Sequence, residues 1–229
     1  MDAIILAAGL GTRLRPHTLT TPKPLLPVQG RPILDWTLAA LPACVERVLV
    51  VVHYLAEQFQ DYLARQPHFR DAVAVYQQQP RGTGDALLAC RELVRSPRVL
   101  VLNGDDLYGA SDLARLAEVP AGLLVWPVQD PTSFGIAFTR PDGTLERLVE
   151  KPALTGTYLA NIGAYTLPRR VMDLQLPVSA RGEYEITDAV AAIAAQEPVQ
   201  TVPAQFWLPI GTVEAYEAAQ SADLSPLHR

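Results

Sequence analysis

Cysteine, methionine and aromatic residues are scarce in this chain: two Cys, two Met and 7% Phe, Trp and Tyr in 229 residues. Cys44 and Cys90 lie far from any Cys-x-x-Cys or Cys/His spacing. That excludes a disulfide framework and a zinc site, and leaves two buried thiols in a reducing compartment as the expectation. No apolar run approaches the roughly 20 residues a membrane span requires, and the first residues read as a strand, not a basic leader. A cytoplasmic protein without a membrane partner is expected. Positive charge is short as well, with 19 Lys and Arg against 24 Asp and Glu, a net charge of −5 and a pI near 5.4. This balance offers nucleic acid no general attraction, so any bound anion must be held locally.

What is plentiful is apolar side chain, at 49% of the chain, enough for one large α/β domain over 1–229. Strand-like runs at 2–6, 47–52, 72–76 and 98–102 alternate with helical patterns near 31–41, 55–65 and 83–95. Such alternation is the signature of a parallel sheet with helices on both faces, whose ligands gather beyond the carboxyl ends of the strands. Beyond residue 120 strand-like pieces at 121–127, 134–139, 144–149 and 157–166 are less regularly spaced and suggest an extension of the sheet. Helical patterns follow at 168–174, 185–195 and 212–222, the second showing Ile186, Val190 and Ile193 at helical spacing. No internal repeat appears after them, and a fused second activity is not expected.

The first strand, Ala3-Ile4-Ile5-Leu6, breaks into Ala7-Ala8-Gly9-Leu10-Gly11-Thr12-Arg13 and then Pro22-Lys23-Pro24. Gly9 and Gly11 let the backbone turn and bring bare N–H groups to an anion, while Arg13 and Lys23 supply the positive charge that amides lack. Two prolines stiffen the segment carrying Lys23. The Walker pattern is absent because no Gly-Lys follows, and the dinucleotide fingerprint is absent because position 14 is Leu.

The run LAAGLGTRLRPHTLTTPKPLLPV, residues 6 to 28, resembles the N-terminal motif of the sugar-1-phosphate nucleotidylyltransferases. The resemblance implies a Rossmann-like, mixed and mostly parallel sheet of the nucleotide-diphospho-sugar transferase type. It implies a nucleotide-binding part over about 1–120 and a sugar-phosphate-binding part over about 121–229. By matched position, Leu6, Ala8, Gly9, Gly11 and Thr12 would surround the triphosphate, Arg13 would stabilise departing pyrophosphate, and Lys23 would contact phosphates during transfer.

Two further strand ends converge with this loop on one edge of the sheet. Gln77 and Gly82-Thr83-Gly84 follow the third strand and resemble the family's base-recognition segment. A glutamine amide matches the N–H and carbonyl edge of uracil or thymine, although a polar strand end explains three adjacent glutamines almost as well, and Thr83 also suits the N-cap of the next helix. Asp105, in Asn103-Gly104-Asp105-Asp106, emerges where phosphates collect and is the expected ligand of Mg2+, which prefers one or two carboxylates completed by water and phosphate oxygens. Farther on, Phe134-Gly135-Ile136, Glu150-Lys151-Pro152 and Ala160-Asn161-Ile162-Gly163 resemble the acceptor site. There Gly135 and Asn161 would contact the sugar, Glu150 would accept from its hydroxyls, and Lys151 would face its phosphate.

One departure stands out. Where the family commonly has Trp-x-Asp-x-Gly-Thr, with a second metal-binding aspartate, residues 207–212 read Trp-Leu-Pro-Ile-Gly-Thr, and Pro209 carries no carboxylate. The resulting expectation is a magnesium-dependent nucleotidyltransferase joining UTP or dTTP to a sugar 1-phosphate, as a monomer or small homo-oligomer. Two other readings stay open: a nucleotide- or sugar-phosphate-binding relative with weak turnover, and a phosphocholine cytidylyltransferase, for which no aromatic cage is evident in the sequence.

Overall fold

The computed structural model describes residues 1–228. In chain order the strands are β1 (Asp2–Leu6), the short hairpin β2 (Pro27–Val28) and β3 (Arg31–Pro32), β4 (Arg47–Val52), β5 (Asp71–Tyr76), β6 (Arg98–Asn103), β7 (Asp106–Tyr108), β8 (Gly122–Val128), β9 (Gly135–Thr139), β10 (Leu145–Glu150), β11 (Tyr158–Pro168), β12 (Gln200–Pro203) and β13 (Trp207–Pro209). The α-helices are α1 (Ile33–Ala40), α2 (Ala56–Leu63), α3 (Thr83–Leu88), α4 (Ala110–Glu118), α5 (Ile186–Ala194) and α6 (Val213–Ala219).

The central sheet runs β10-β9-β11-β6-β1-β4-β5, with β8 also paired to β11 and β12 to β8. β1 is parallel to β4 and β6, and β4 to β5. The long β11 runs antiparallel to β6, β8 and β9, so it joins the parallel half to its extension. This is the expected Rossmann-like, mostly parallel sheet. Strand alternation splits β1 between two cores: Ala3 and Ile5 pack with Leu34, Leu38, Phe59 and Leu113 from α1, α2 and α4. Ile4 packs on the other face with Leu87, Ile186 and Val190 from α3 and α5. Helices on both faces therefore follow from a strand that is apolar at every inner position. A third cluster pins the far side of the glycine loop, where Leu14 and Leu26 meet Trp36, Leu107 and Ile210. Full burial of Leu14 contributes about 2 kcal/mol toward holding that loop closed.

Several expectations are corrected. The helical pattern at 83–95 yields an α-helix only over Thr83–Leu88, and the segment at 168–174 is a 3₁₀ turn, Arg169–Asp173. Helix α4 was not expected, although Leu113, Leu116 and Ala117 have helical spacing and are buried. Only Cys90 is a buried thiol; Cys44, beside Pro42 in a tight turn, is exposed. Among the described residues no helix is long and apolar enough to cross a membrane.

Candidate active site

At the end of β1 the sheet lets go of the chain. Ala7 donates to the Val51 carbonyl at 2.9 Å, the Leu6 carbonyl accepts from Gly104 at 2.9 Å, and beyond Ala8 the loop leaves the ladder. It is folded back on itself by Thr18, whose hydroxyl donates to the Gly11 carbonyl at 2.7 Å. Lys23 lies on a 3₁₀ turn between Pro22 and Pro24, nearly buried, with its Nζ 2.7 Å from Asp105 Oδ2. Arg13 is exposed and pairs with no carboxylate among the described residues.

These groups share one cleft of about 500 Å³. It is lined by Leu6, Ala8, Gly9, Gly11, Thr12, Arg13, Lys23, Gln77, Gly82, Thr83 and Asp105, the whole set that the sequence pointed to for nucleotide and metal. Asn103 and Glu183 also line it.

The carboxylates at the end of β6 differ in character. Asp105 is partly open to solvent, with 40% of its side chain exposed. Asp106 is buried, and burial together with the neighbouring Asp105 charge pushes its carboxyl up to about 8, against the opposing influence of Lys23 and of a hydrogen bond from Trp207 Nε1. Pro209 stands directly across from Asp106 in the β7–β13 pair. Among the described residues no group of three or more His, Cys, Asp and Glu side chains is poised for a metal. One exposed carboxylate suits a magnesium ion that brings most of its ligands as water and phosphate oxygens, and it does not suit an ion held by protein alone.

Gln77 is almost fully buried, and its Nε2 donates to Asp85 Oδ2 at 2.8 Å and to the Gly82 carbonyl at 3.3 Å. The expectation that its amide offers donors as well as an acceptor is thereby corrected: both donors are spent inside the protein. Thr83 does not cap its own helix, whose N-cap is Gly82. Its hydroxyl accepts instead from the Ile186 amide at 3.0 Å, capping the first turn of α5 across the cleft. Gly82, at φ +109°, allows the close pass, since a Cβ there would lie 2.4 Å from the Tyr184 carbonyl oxygen. Residues 81–84 are thus fastened to 184–186 by Gly84 donating to the Tyr184 carbonyl and Tyr184 donating to Arg81, each at 2.8 Å.

The acceptor residues gather beside this seam. A side-chain carbon at Gly135 would lie 3.0 Å from Glu150 Oε2 and 3.9 Å from Asn161 Nδ2, so the three positions face one space. Asn161 Nδ2 donates to the buried Tyr165 hydroxyl at 2.8 Å. Lys151 does not share this grouping by any ion pair: its amide donates to the Phe134 carbonyl at 2.9 Å while its side chain is exposed. Sequence reasoning missed Arg181, whose Nη2 lies 2.7 Å from Glu185 Oε1 and 3.5 Å from Glu150 Oε1. It immediately precedes Gly182-Glu183-Tyr184-Glu185, so a cation beside three acidic or aromatic residues was the available signal. Also unforeseen is a packed aromatic cluster, with Trp207 5.8 Å from Phe134 and 6.4 Å from Trp126 between ring centroids. At these spacings the rings contact one another.

The nucleotidyl transferase family profile matches residues 2–225. The chain belongs to this family. Its fold and N-terminal motif place it with the sugar-1-phosphate nucleotidyltransferases. It is 32% identical over 214 residues to the bifunctional protein GlmU of Methanocaldococcus jannaschii, a match covering 92% of this chain and 51% of that protein. The chain therefore spans about half the length of that relative. It is also 32% identical over 240 residues to the mannose-1-phosphate guanylyltransferase of Mycobacterium tuberculosis, covering 98% of this chain and 64% of that one. The solved UDP-glucose pyrophosphorylase of Acinetobacter baumanii superposes with a TM-score of 0.82 at 25% identity, over 96% of this nucleotidyltransferase and 91% of its own chain.

Proposed function

We propose that this nucleotidyltransferase joins a sugar 1-phosphate to UTP or dTTP and releases pyrophosphate. The observation that carries the reading is the convergence of Arg13, Lys23, Gln77 and Asp105 on one cleft, fastened through Thr83 to the segment whose Arg181 pairs with both Glu185 and Glu150. A phosphate oxygen of the sugar 1-phosphate attacks the α-phosphorus, the bond to the bridging α–β oxygen breaks, and pyrophosphate departs. The attacking group is already an anion, so no general base is required.

Catalysis then rests on positioning and charge. Loop amides from Gly9 to Thr12 and the free Arg13 guanidinium neutralise the β- and γ-phosphates and the leaving pyrophosphate. Lys23 exchanges its Asp105 partner for the α-phosphate, whose equatorial oxygens gain charge in the transition state. Asp105 would hold magnesium arriving with the nucleotide, and the ion would supply additional charge neutralisation at the phosphates. On the acceptor side Glu150 and Asn161 accept and donate to sugar hydroxyls. Arg181 and Lys151 are the cations available to the sugar phosphate.

A second reading, binding with little turnover, is favoured by Pro209, which leaves the family's second carboxylate unfilled opposite Asp106. Pyrophosphate release, measured with magnesium, each of UTP, dTTP, GTP and CTP, and a panel of sugar 1-phosphates, decides between them. Release with UTP or dTTP and one sugar supports the transferase. Tight nucleotide binding without release across the panel supports the second reading.

A further inference from the structure

The amide of Gln77 is held in one orientation by chemistry alone. Its Nε2 faces Asp85 Oδ2 at 2.8 Å and the Gly82 carbonyl at 3.3 Å, and both partners are acceptors, so turning the amide over would set oxygen against oxygen. Asp85 is itself fixed, because its other oxygen accepts from Arg81 Nη2 at 2.7 Å, and the Arg81 guanidinium lies over the Tyr184 ring. The backbone of Gln77 is anchored on both sides: its amide donates to Val52 at 2.8 Å, and His53 Nδ1 lies 2.8 Å from its carbonyl oxygen. Among the described residues no donor reaches Gln77 Oε1, yet this atom is not sealed off as a buried orphan, so it opens onto the cleft that Gln77 lines.

We propose that Asp85 is a positioning residue that locks Gln77 so that the cleft shows the base a hydrogen-bond acceptor and no donor at this point. The proposal rests on the nucleotide reading of the cleft given above. The matching ligand is a base whose ring nitrogen carries hydrogen next to a carbonyl: N3–H of uracil and thymine, or N1–H of guanine. With the base seated so that this ring nitrogen faces the Gln77 oxygen, cytosine N3 and adenine N1 set a lone pair against it, and pairing it instead with their exocyclic amino group requires the base to shift out of that register. The cleft's selectivity is thus set by a residue that never touches the nucleotide.

Calorimetric titration of the whole protein with UTP, dTTP, GTP, CTP and ATP, each with magnesium, tests this. At least one of the first three is expected to bind roughly tenfold to hundredfold tighter than CTP and ATP. Which of them does so distinguishes a pyrimidine from a guanine donor. Methylating the ring nitrogen of that nucleotide (N3-methyl-UTP, N3-methyl-dTTP or N1-methyl-GTP) leaves its phosphates intact and should weaken it by a similar factor. Asp85→Asn brings a donor beside Gln77, frees the amide to turn, and should reduce the preference over CTP by roughly tenfold, a change of ratio that general loosening would not produce. CTP or ATP binding as tightly as the rest, no effect of the methyl group, or an unchanged ratio in Asp85→Asn would each overturn the lock. Failure of every triphosphate to bind would overturn the nucleotide reading itself.

Discussion

Lys23 and Asp105 form the pivotal contact at the scale of single residues. The ammonium is 7% exposed and the carboxylate 40%, so the pair is only half withdrawn from water and its loss leaves an anion that can rehydrate. Lys23→Ala should therefore fold normally. Because the amine acts on charge that grows at the α-phosphate, turnover is expected to fall by about 100-fold or more while nucleotide affinity changes by only a fewfold. Steady-state rates beside calorimetric affinities check this; equal losses in both would show that Lys23 serves binding alone. Gly163 presents a different constraint. It sits at φ +81°, and a Cβ there would lie 2.0 Å from Asn103 Nδ2. Gly163→Ala should cost about 2–4 kcal/mol in urea unfolding, since the strained backbone and a displaced Asn103 add together.

Among the secondary elements, α4 shows how a helix with no catalytic residue shapes the site. Its Asp112 is fully buried and accepts from the amides of Gln205 and Phe206, at 2.8 and 2.9 Å, and from Arg115 at 2.6 Å. Those two amides open the approach to β13, which places Trp207 against Asp106 and Pro209 across from it. Asp112→Ala should lower stability by about 2–3 kcal/mol, discounted from the cost of a fully buried pair because Arg115 is 40% exposed. None of Asp112, Gln205 and Phe206 lines the nucleotide cleft, so nucleotide affinity should stay within about twofold, which calorimetry on the folded variant would check. The spacing of Leu113, Leu116 and Ala117 carried the signal for this helix, although the helix was not expected. Its polar partner was not legible, because Asp112 finds Gln205 and Phe206 across 93 and 94 residues of sequence.

Across the whole molecule, two cores on either face of one sheet make the parallel half a cooperative unit. Cys90 reports on it, being fully buried in the α3–α5 core with its thiol pushed up to about 12 by that burial. Because the folded state holds the proton more tightly than the unfolded chain does, folding suppresses the reactive thiolate at pH 8, and Cys90 adds to stability below its unfolded pKa and loses that contribution as pH rises toward 12. Alkylation at pH 8 should modify Cys44 readily and Cys90 only in urea, with its labelling midpoint on the global unfolding curve. Mass spectrometry of the modified protein measures it, and early labelling of Cys90 would show that this core opens locally.

Apolar alternation and the order of the glycine, Gln77, Asp105, Gly135, Glu150 and Asn161 segments determined, from the sequence alone, the doubly covered sheet and the family. Both depend on local signals: strand period, helix period, and motifs at strand ends that a parallel sheet must bring to one edge. Tertiary structure alone decided which groups were already engaged. Lys23 rests on Asp105, Gln77 spends its donors on Asp85 and Gly82, Thr83 caps a helix more than 100 residues away, and Arg181 bridges Glu150 and Glu185. A side chain's donors and acceptors are written in its residue type, but their partners are chosen by packing between segments distant in the chain, and no sequence period encodes that choice.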